Sequence, residues 1–137
     1  MKVVLDEGAR LPERAHADDA GLDLFSRERK VVPAHGSALF DIGVHMEIQH
    51  GYFGKIESKS GLNVKHDVVS CGGVIDAGFA GSIAVKLYNL SDVDYEVLAG
   101  DKIAQLVFIP IMVPRMVVVD ELEETERGSN GFGSTGR

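Results

Sequence analysis

The run Arg127-Gly128-Ser129-Asn130-Gly131-Phe132-Gly133-Ser134-Thr135-Gly136-Arg137 holds side chains that make poor filler for a spacer. Its four glycines cannot sustain a helix or strand, so the backbone there is free until something organises it. Arg127 offers a planar fork that suits phosphate oxygens, and Phe132 a flat face on which a base can stack. Ser134, Thr135 and exposed glycine amides such as that of Gly133 can add hydrogen bonds to anionic oxygens. Together these groups can form a mobile lid over a nucleotide polyphosphate. On composition alone, a disordered tail is the alternative.

Four other stretches can do chemistry. In Ala20-Gly21-Leu22-Asp23-Leu24 a carboxylate stands between two apolar residues; on a strand, Leu22 and Leu24 point inward and Asp23 to the opposite face. Ser58-Lys59-Ser60-Gly61 reads as a compact anion-binding loop or as a plain polar turn, and it lacks the spacing of a Walker A loop. The run from Gly72 to Gly81 reads as a hairpin whose glycines let the backbone approach a ligand. There main-chain groups can read a base edge, Asp76 can hold a water and Phe79 can pack on a sugar; the alternative is a turn aspartate and a core phenylalanine. In Gly100-Asp101-Lys102-Ile103-Ala104-Gln105-Leu106-Val107 a turn feeds a strand, and Gln105 either contacts a ligand or caps neighbouring backbone.

The elements that must position these residues are strands. Ile83, Val85 and Leu87 alternate with Ala84, Lys86 and Tyr88; Ile103, Gln105, Val107 and Ile109 alternate with Ala104, Leu106 and Phe108. Val113 to Val119 is a further β-branched run, with Pro110 and Pro114 marking edges or bends. Glycines recur as turn punctuation, which predicts an all-β barrel or jelly roll of many short strands. One helical turn is expected near Gly61 to His66. Residues 1–119 are expected to form the β body, and 120–137 an acidic linker and glycine-rich lid.

At 137 residues with 45% hydrophobic content, the chain is expected to be one soluble domain with a real core. It has no long apolar run for a membrane and no apolar leader with a cleavage site, and Cys71 is its single cysteine; a cytoplasmic setting is expected. The formal net charge of −7 argues against sequence-independent binding to nucleic acid. It does not exclude a phosphate-bearing small molecule, because a few cations focused in one cleft can outweigh the overall sign. Asn89-Leu90-Ser91 is read as an accidental sequon. His45, His50 and His66 match no metal spacing and are read as surface or packing residues.

Taken in order, these stretches resemble the five motifs of the trimeric dUTP nucleotidohydrolases (dUTPases): residues 20–24, 58–61, 73–81, 100–106 and 127–136. The resemblance implies a jelly-roll homotrimer with a flexible C-terminal arm. It also implies shared active sites and Mg²⁺-dependent hydrolysis of dUTP to dUMP and pyrophosphate. In it Asp76 orients and deprotonates the attacking water, and the main chain around Ser70, Gly73, Val74 and Ile75 reads uracil. Phe79 lies against the deoxyribose, while Ser60, Gly61 and Gln105 hold phosphates and Lys59 adds positive charge. Asp23 supports the metal through waters, the ion being held mainly by the triphosphate. From the lid, Arg127 reaches the γ-phosphate, Phe132 stacks on uracil, and Gly133, Ser134 and Thr135 close around the phosphates. A carboxylate of ordinary pKa, near ~4, is a feeble base, so the acceleration implied rests on positioning and charge neutralisation.

The chain departs from the family pattern at four places. Phe79 replaces the usual tyrosine, keeping the ring that blocks a ribose 2′-hydroxyl but losing the phenol. Lys59 replaces an arginine and cannot make its bidentate contact. Lys102 also replaces an arginine, and Ser58 the common proline or glycine. Two other readings compete. The related dCTP deaminases share the run at residues 75–81 but lack the fifth motif. A regulatory binding protein, recognising dUTP and presenting a surface to a protein partner as some phage-borne relatives do, is the other.

Overall fold

Period-two alternation of apolar residues dominates the chain, and each alternating run pairs with a neighbour to bury one side. The computed structural model describes residues 1–71, 73–125 and 128–129. Its four-stranded antiparallel sheet has the order β2 (Gly21–Phe25), β11 (Lys102–Pro110), β6 (Tyr52–Glu57), β8 (Val74–Ile75). A three-stranded sheet has the order β4 (Ser37–Asp41), β9 (Ala84–Asn89), β7 (Val68–Ser70). Two small pairs, β1 (Val3–Leu5) with β5 (Val44–Met46) and β3 (Lys30–Val32) with β10 (Tyr95–Val97), complete the wall. Leu24, Ile56, Ile75 and Leu106 from the larger sheet share one core with Phe40, Val68, Val85 and Leu87 from the other. This is the jelly-roll class expected from the spacing. Among the described residues, no helix is long and apolar enough to cross a membrane.

The single helix among the described residues, α1 (Ser60–His66), lies where a helical turn was expected and buries none of its residues. Asp67 ends it in the left-handed region at φ 52°, and its N–H bonds back to the Asn63 carbonyl. Asn89 of the formal sequon is buried. Its amide donates to the Val32 and Val93 carbonyls, at 3.0 and 2.8 Å, and its oxygen accepts from Ser91. That network fixes the turn between β9 and β10.

Three local expectations need correction. First, the hairpin expected over 72–81 does not form across the described residues 73–81: β8 pairs back onto β6, and the chain after it crosses to the other sheet as β9. Gly73, at φ 100°, makes the approach possible, because a Cβ there would lie 2.7 Å from that of Ile56. Second, β11 does not alternate continuously. The register with β2 skips Ile103, so Ile103, Ala104 and Leu106 are all buried while Gln105 turns away from the core. Third, residues 113–119 form no strand. Pro110 and Pro114 lack ladder donors, and after Ile111 N–H bonds to the Gly51 carbonyl the chain leaves the body. Met112, Met116 and Val118 are then 89, 85 and 99% exposed.

Candidate functional site

The antiparallel register of β2, β11 and β6 places Asp23, Gln105 and Glu57 side by side on one row of the sheet. Leu24 points into the core and Asp23 to the opposite face, as the alternation requires, yet Asp23 is only 4% exposed. The cover comes from cations. Lys59, which caps α1, binds Asp23 Oδ1, and Lys102 Nζ lies 2.7 Å from Oδ2. Lys102 approaches off the hydrogen-bonding direction, so the buried Oδ2 has an ion-pair partner but no hydrogen bond among the described residues. Arg10 adds a further cation nearby, stacked 3.9 Å over the Phe25 ring.

Burial, the largest single influence, pushes the Asp23 carboxyl up. The close contacts and charges of Lys102 and Lys59 together outweigh it and hold the group below its ordinary 3.8. In return, Asp23 raises Lys102. A chain of net charge −7 thus gathers two lysines on one buried carboxylate.

The polar frame around this cluster is continuous. Gln105 Nε2 donates to the Ser58 carbonyl at 3.0 Å, and a Cβ on Gly21 would run into Gln105 Oε1 at 2.3 Å, so glycine leaves that amide its place. Ser58 Oγ accepts from the Ser70 N–H at 2.9 Å and donates to the Ser70 carbonyl at 3.1 Å, tying the start of α1 to the end of β7. Ile56 N–H bonds the Gly73 carbonyl. Ser60 and Gly61 open α1 on the exposed side. Asp23, Lys59, Ser60, Gly61, Ser70, Gly73 and Gln105 therefore border one region, and Lys102, noted in the fourth motif only as a replacement for arginine, is a further member.

Asp76 and Phe79 lie elsewhere. Ile75 pairs with Gly54, so Asp76 follows on at the level of Phe53, while Asp23 stands at the level of Glu57 three strands away. At ~3.3 Å per residue and ~4.8 Å per strand, the two carboxylates are roughly 19 Å apart along the ladder. Asp76 is exposed and its carbonyl accepts from Phe79 N–H at 3.0 Å in a tight turn. Val74 and Phe79 are exposed and Ile75 is buried. The expected roles of Arg127, Phe132, Gly133, Ser134 and Thr135 fall on residues outside those described.

The dUTPase family profile matches residues 7–136. The chain belongs to the dUTPase family. It is 46% identical over 133 residues to the mitochondrial deoxyuridine 5′-triphosphate nucleotidohydrolase of Dictyostelium discoideum, covering 96% of this chain and 74% of that protein. The Staphylococcus bacteriophage 80alpha dUTPase solved with dUPNHPP superposes with a TM-score of 0.91 at 33% identity, over 99% of this chain and 98% of that one. A mutant dUTPase of Staphylococcus aureus phage phi11, whose structure reveals the coordination of a structural Mg(II) ion, superposes at 0.82 with 35% identity, over 90% and 98%. Family membership ends the competition with a dCTP deaminase.

The clamp on Asp23 has a pH signature. Because its carboxyl is held below 3.8, the stabilisation is complete above that value and is lost as pH falls below it through the folded-state pKa. Urea unfolding across this acid window is expected to show a smaller loss of stability in Asp23→Asn than in the native chain. Equal losses would show that the clamp contributes nothing.

Proposed function

We propose that this chain hydrolyses dUTP to dUMP and pyrophosphate by attack of water on the α-phosphorus, in active sites that three copies build together. The observation that carries the reading is the cluster in which Lys59 and Lys102 close on Asp23 beside Gln105, gathered from separate motifs in a member of the dUTPase family. The cluster suits a triphosphate: two ammonium groups and an amide converge where anionic oxygens need compensation. Asp76 holds the attacking water in line with the α-phosphorus and accepts its proton. Positioning supplies most of the acceleration, because a carboxylate alone is a weak base.

The separation of roughly 19 Å between Asp23 and Asp76 supports sharing between copies, since one nucleotide cannot place its α-phosphorus beside both in one chain. A homotrimer in which the Asp76 turn of one copy faces the lysine cluster of another removes the conflict. The exposed apolar stretch at 111–119 gives such an assembly a surface to bury. From there the acidic linker delivers the lid at 120–137 to a further copy. In the lid Arg127 takes the γ-phosphate, Phe132 covers uracil, and Gly133, Ser134 and Thr135 close over the phosphates.

Magnesium fits the site. Asp23 is a carboxylate whose partners are two lysines, so it can hold a hydrated cation through its waters once phosphates draw those lysines away, and no three His, Cys, Asp or Glu side chains among the described residues form a cage of their own. The ion would arrive with the triphosphate and, when bound, would supply positive charge against the departing pyrophosphate. Ser60, Gly61 and Gln105 orient the phosphates, and main chain at Ser70 and Gly73–Ile75 reads the uracil edge. The Phe79 ring excludes a 2′-hydroxyl by shape.

A second reading has one specific support: the 80alpha enzymes are described as controlling transfer of virulence genes by a G protein-like mechanism. A regulatory protein partner that senses the nucleotide-bound state is compatible with the same site. Pyrophosphate release from dUTP, dCTP, dTTP and UTP, with and without Mg²⁺, separates the readings. A cytoplasmic setting belongs to this proposal and rests on the single cysteine.

Asp76→Asn is expected to lower kcat by about 10²–10⁴-fold with dUTP binding retained. Full turnover in that variant would remove Asp76 from the mechanism. A chain ending at Glu126 is expected to keep its fold and assembly, by circular dichroism and sedimentation, and to lose most of its turnover; an undiminished rate would refute the lid.

A further inference from the structure

His45, on β5, has both ring nitrogens engaged by oxygens that only accept. Nδ1 lies 2.9 Å from the Ala80 carbonyl and Nε2 lies 3.2 Å from Asp6 Oδ1. A carbonyl and an ionised carboxylate bring no proton to share. A ring that satisfies both must donate from both nitrogens, which only the imidazolium can do. A neutral ring turns a lone pair towards one of the two oxygens, and a lone pair facing the anionic Asp6 carboxylate costs more than one facing the neutral Ala80 carbonyl, so the Ala80 bond is the one given up.

The bond lands at a sensitive place. The Ala80 carbonyl lies between Phe79 and Gly81, and the Phe79 ring rests on Gly81 so closely that a Cβ there would come within 2.6 Å of the ring Cζ. The turn is held at its start by Phe79 N–H on the Asp76 carbonyl. Beyond it, Ser82 bonds Asp41 and Ile83 N–H bonds the Val44 carbonyl at 2.9 Å. Between these anchors, His45 provides the one hydrogen bond to Ala80 among the described residues. Packing does not replace it, because a cleft of about 350 Å³ lined by His45, Met46, Ala77, Phe79 and Ala80 lies beneath the turn.

We infer that protonated His45 is a latch that holds the Phe79 turn in its nucleoside-binding position and makes dUTP affinity fall as the ring loses its proton. His45 is a positioning residue, and the inference rests on the dUTP reading of the site. The charged groups around the ring come from several elements. Asp6 follows β1 and contacts the ring; Asp41, at the end of β4, lies nearby. Arg27, after β2, reaches both carboxylates at 3.4 and 2.6 Å, and Lys2 and Glu47 at the cleft edge pair with each other at 2.9 Å. The Ala80 carbonyl, then Asp6 and Asp41, raise the ring above its ordinary 6.5 against a smaller opposing effect of desolvation. The latch is therefore complete below 6.5 and opens as pH rises through the higher folded-state value.

Nitrogen-15 NMR of the full-length native protein, together with dUTP kinetics across pH, tests this. The His45 ring is expected to titrate above 6.5 with both nitrogens protonated below its midpoint. The dUTP KM is expected to rise about tenfold through that midpoint, the scale of one lost hydrogen bond, with kcat changing less. His45→Gln keeps a donor for Ala80 but cannot titrate, so it should remove this step in KM. Asp6→Asn should move the ring midpoint and the KM step together towards acid, and it decides the matter if His45→Gln does not fold. A midpoint at or below 6.5, or a KM step that ignores the Asp6→Asn shift, overturns the latch. Absence of dUTP turnover in the native chain would instead strike the proposed activity, leaving the ring titration to judge the latch.

Discussion

A carboxylate taken out of water must be compensated, and in this chain that requirement organises the site. Asp23 is buried against two lysines from different parts of the sequence, one capping α1 and one opening β11. Removing both cations leaves buried charge uncompensated, a severe cost in protein interiors. Satisfying both ties β2, β11 and the β6–α1 junction into one rigid row. Under the proposed function, the arrangement also stores positive charge beside a carboxylate that can exchange its partners for a hydrated cation once phosphates claim the lysines. In that proposal, stability and phosphate binding draw on the same three side chains.

The second constraint is geometric. A β ladder has fixed spacings, so a residue on β8 cannot be brought to a residue on β2 without breaking the sheet. Separating Asp76 from the lysine cluster within one chain makes assembly a condition of chemistry under the proposed function. The same logic accounts for an apolar stretch, residues 111–119, that the body leaves exposed. His45 acts on a smaller scale within one copy, linking the N-terminal strand pair to the turn that carries Phe79.

Much of the β body was legible because period-two alternation is a local signal. Ile83, Val85 and Leu87 are buried as their spacing requires. The helix at Ser60–His66 was legible from the residues around it. The rest depended on partners that spacing does not name. Alternation put Asp23 on the face away from Leu24, but burial of that face came from Lys59 and Lys102, distant in sequence. The skipped residue at Ile103 reset the faces of β11, and no periodicity announces a bulge. Glycines around 72–81 signalled close approach correctly, yet the approach is of Gly73 to Ile56 on β6, not of two hairpin arms. His45 was read as surface or packing because its two acceptors, Asp6 and Ala80, lie far from it along the chain.

The central claim is that water is delivered to the α-phosphorus of dUTP. Turnover in water enriched in oxygen-18, with the products separated and weighed by mass spectrometry, tests it most directly. One heavy oxygen in dUMP and none in pyrophosphate is the result the account requires. Label in pyrophosphate, or release of single phosphates in place of pyrophosphate, would contradict it.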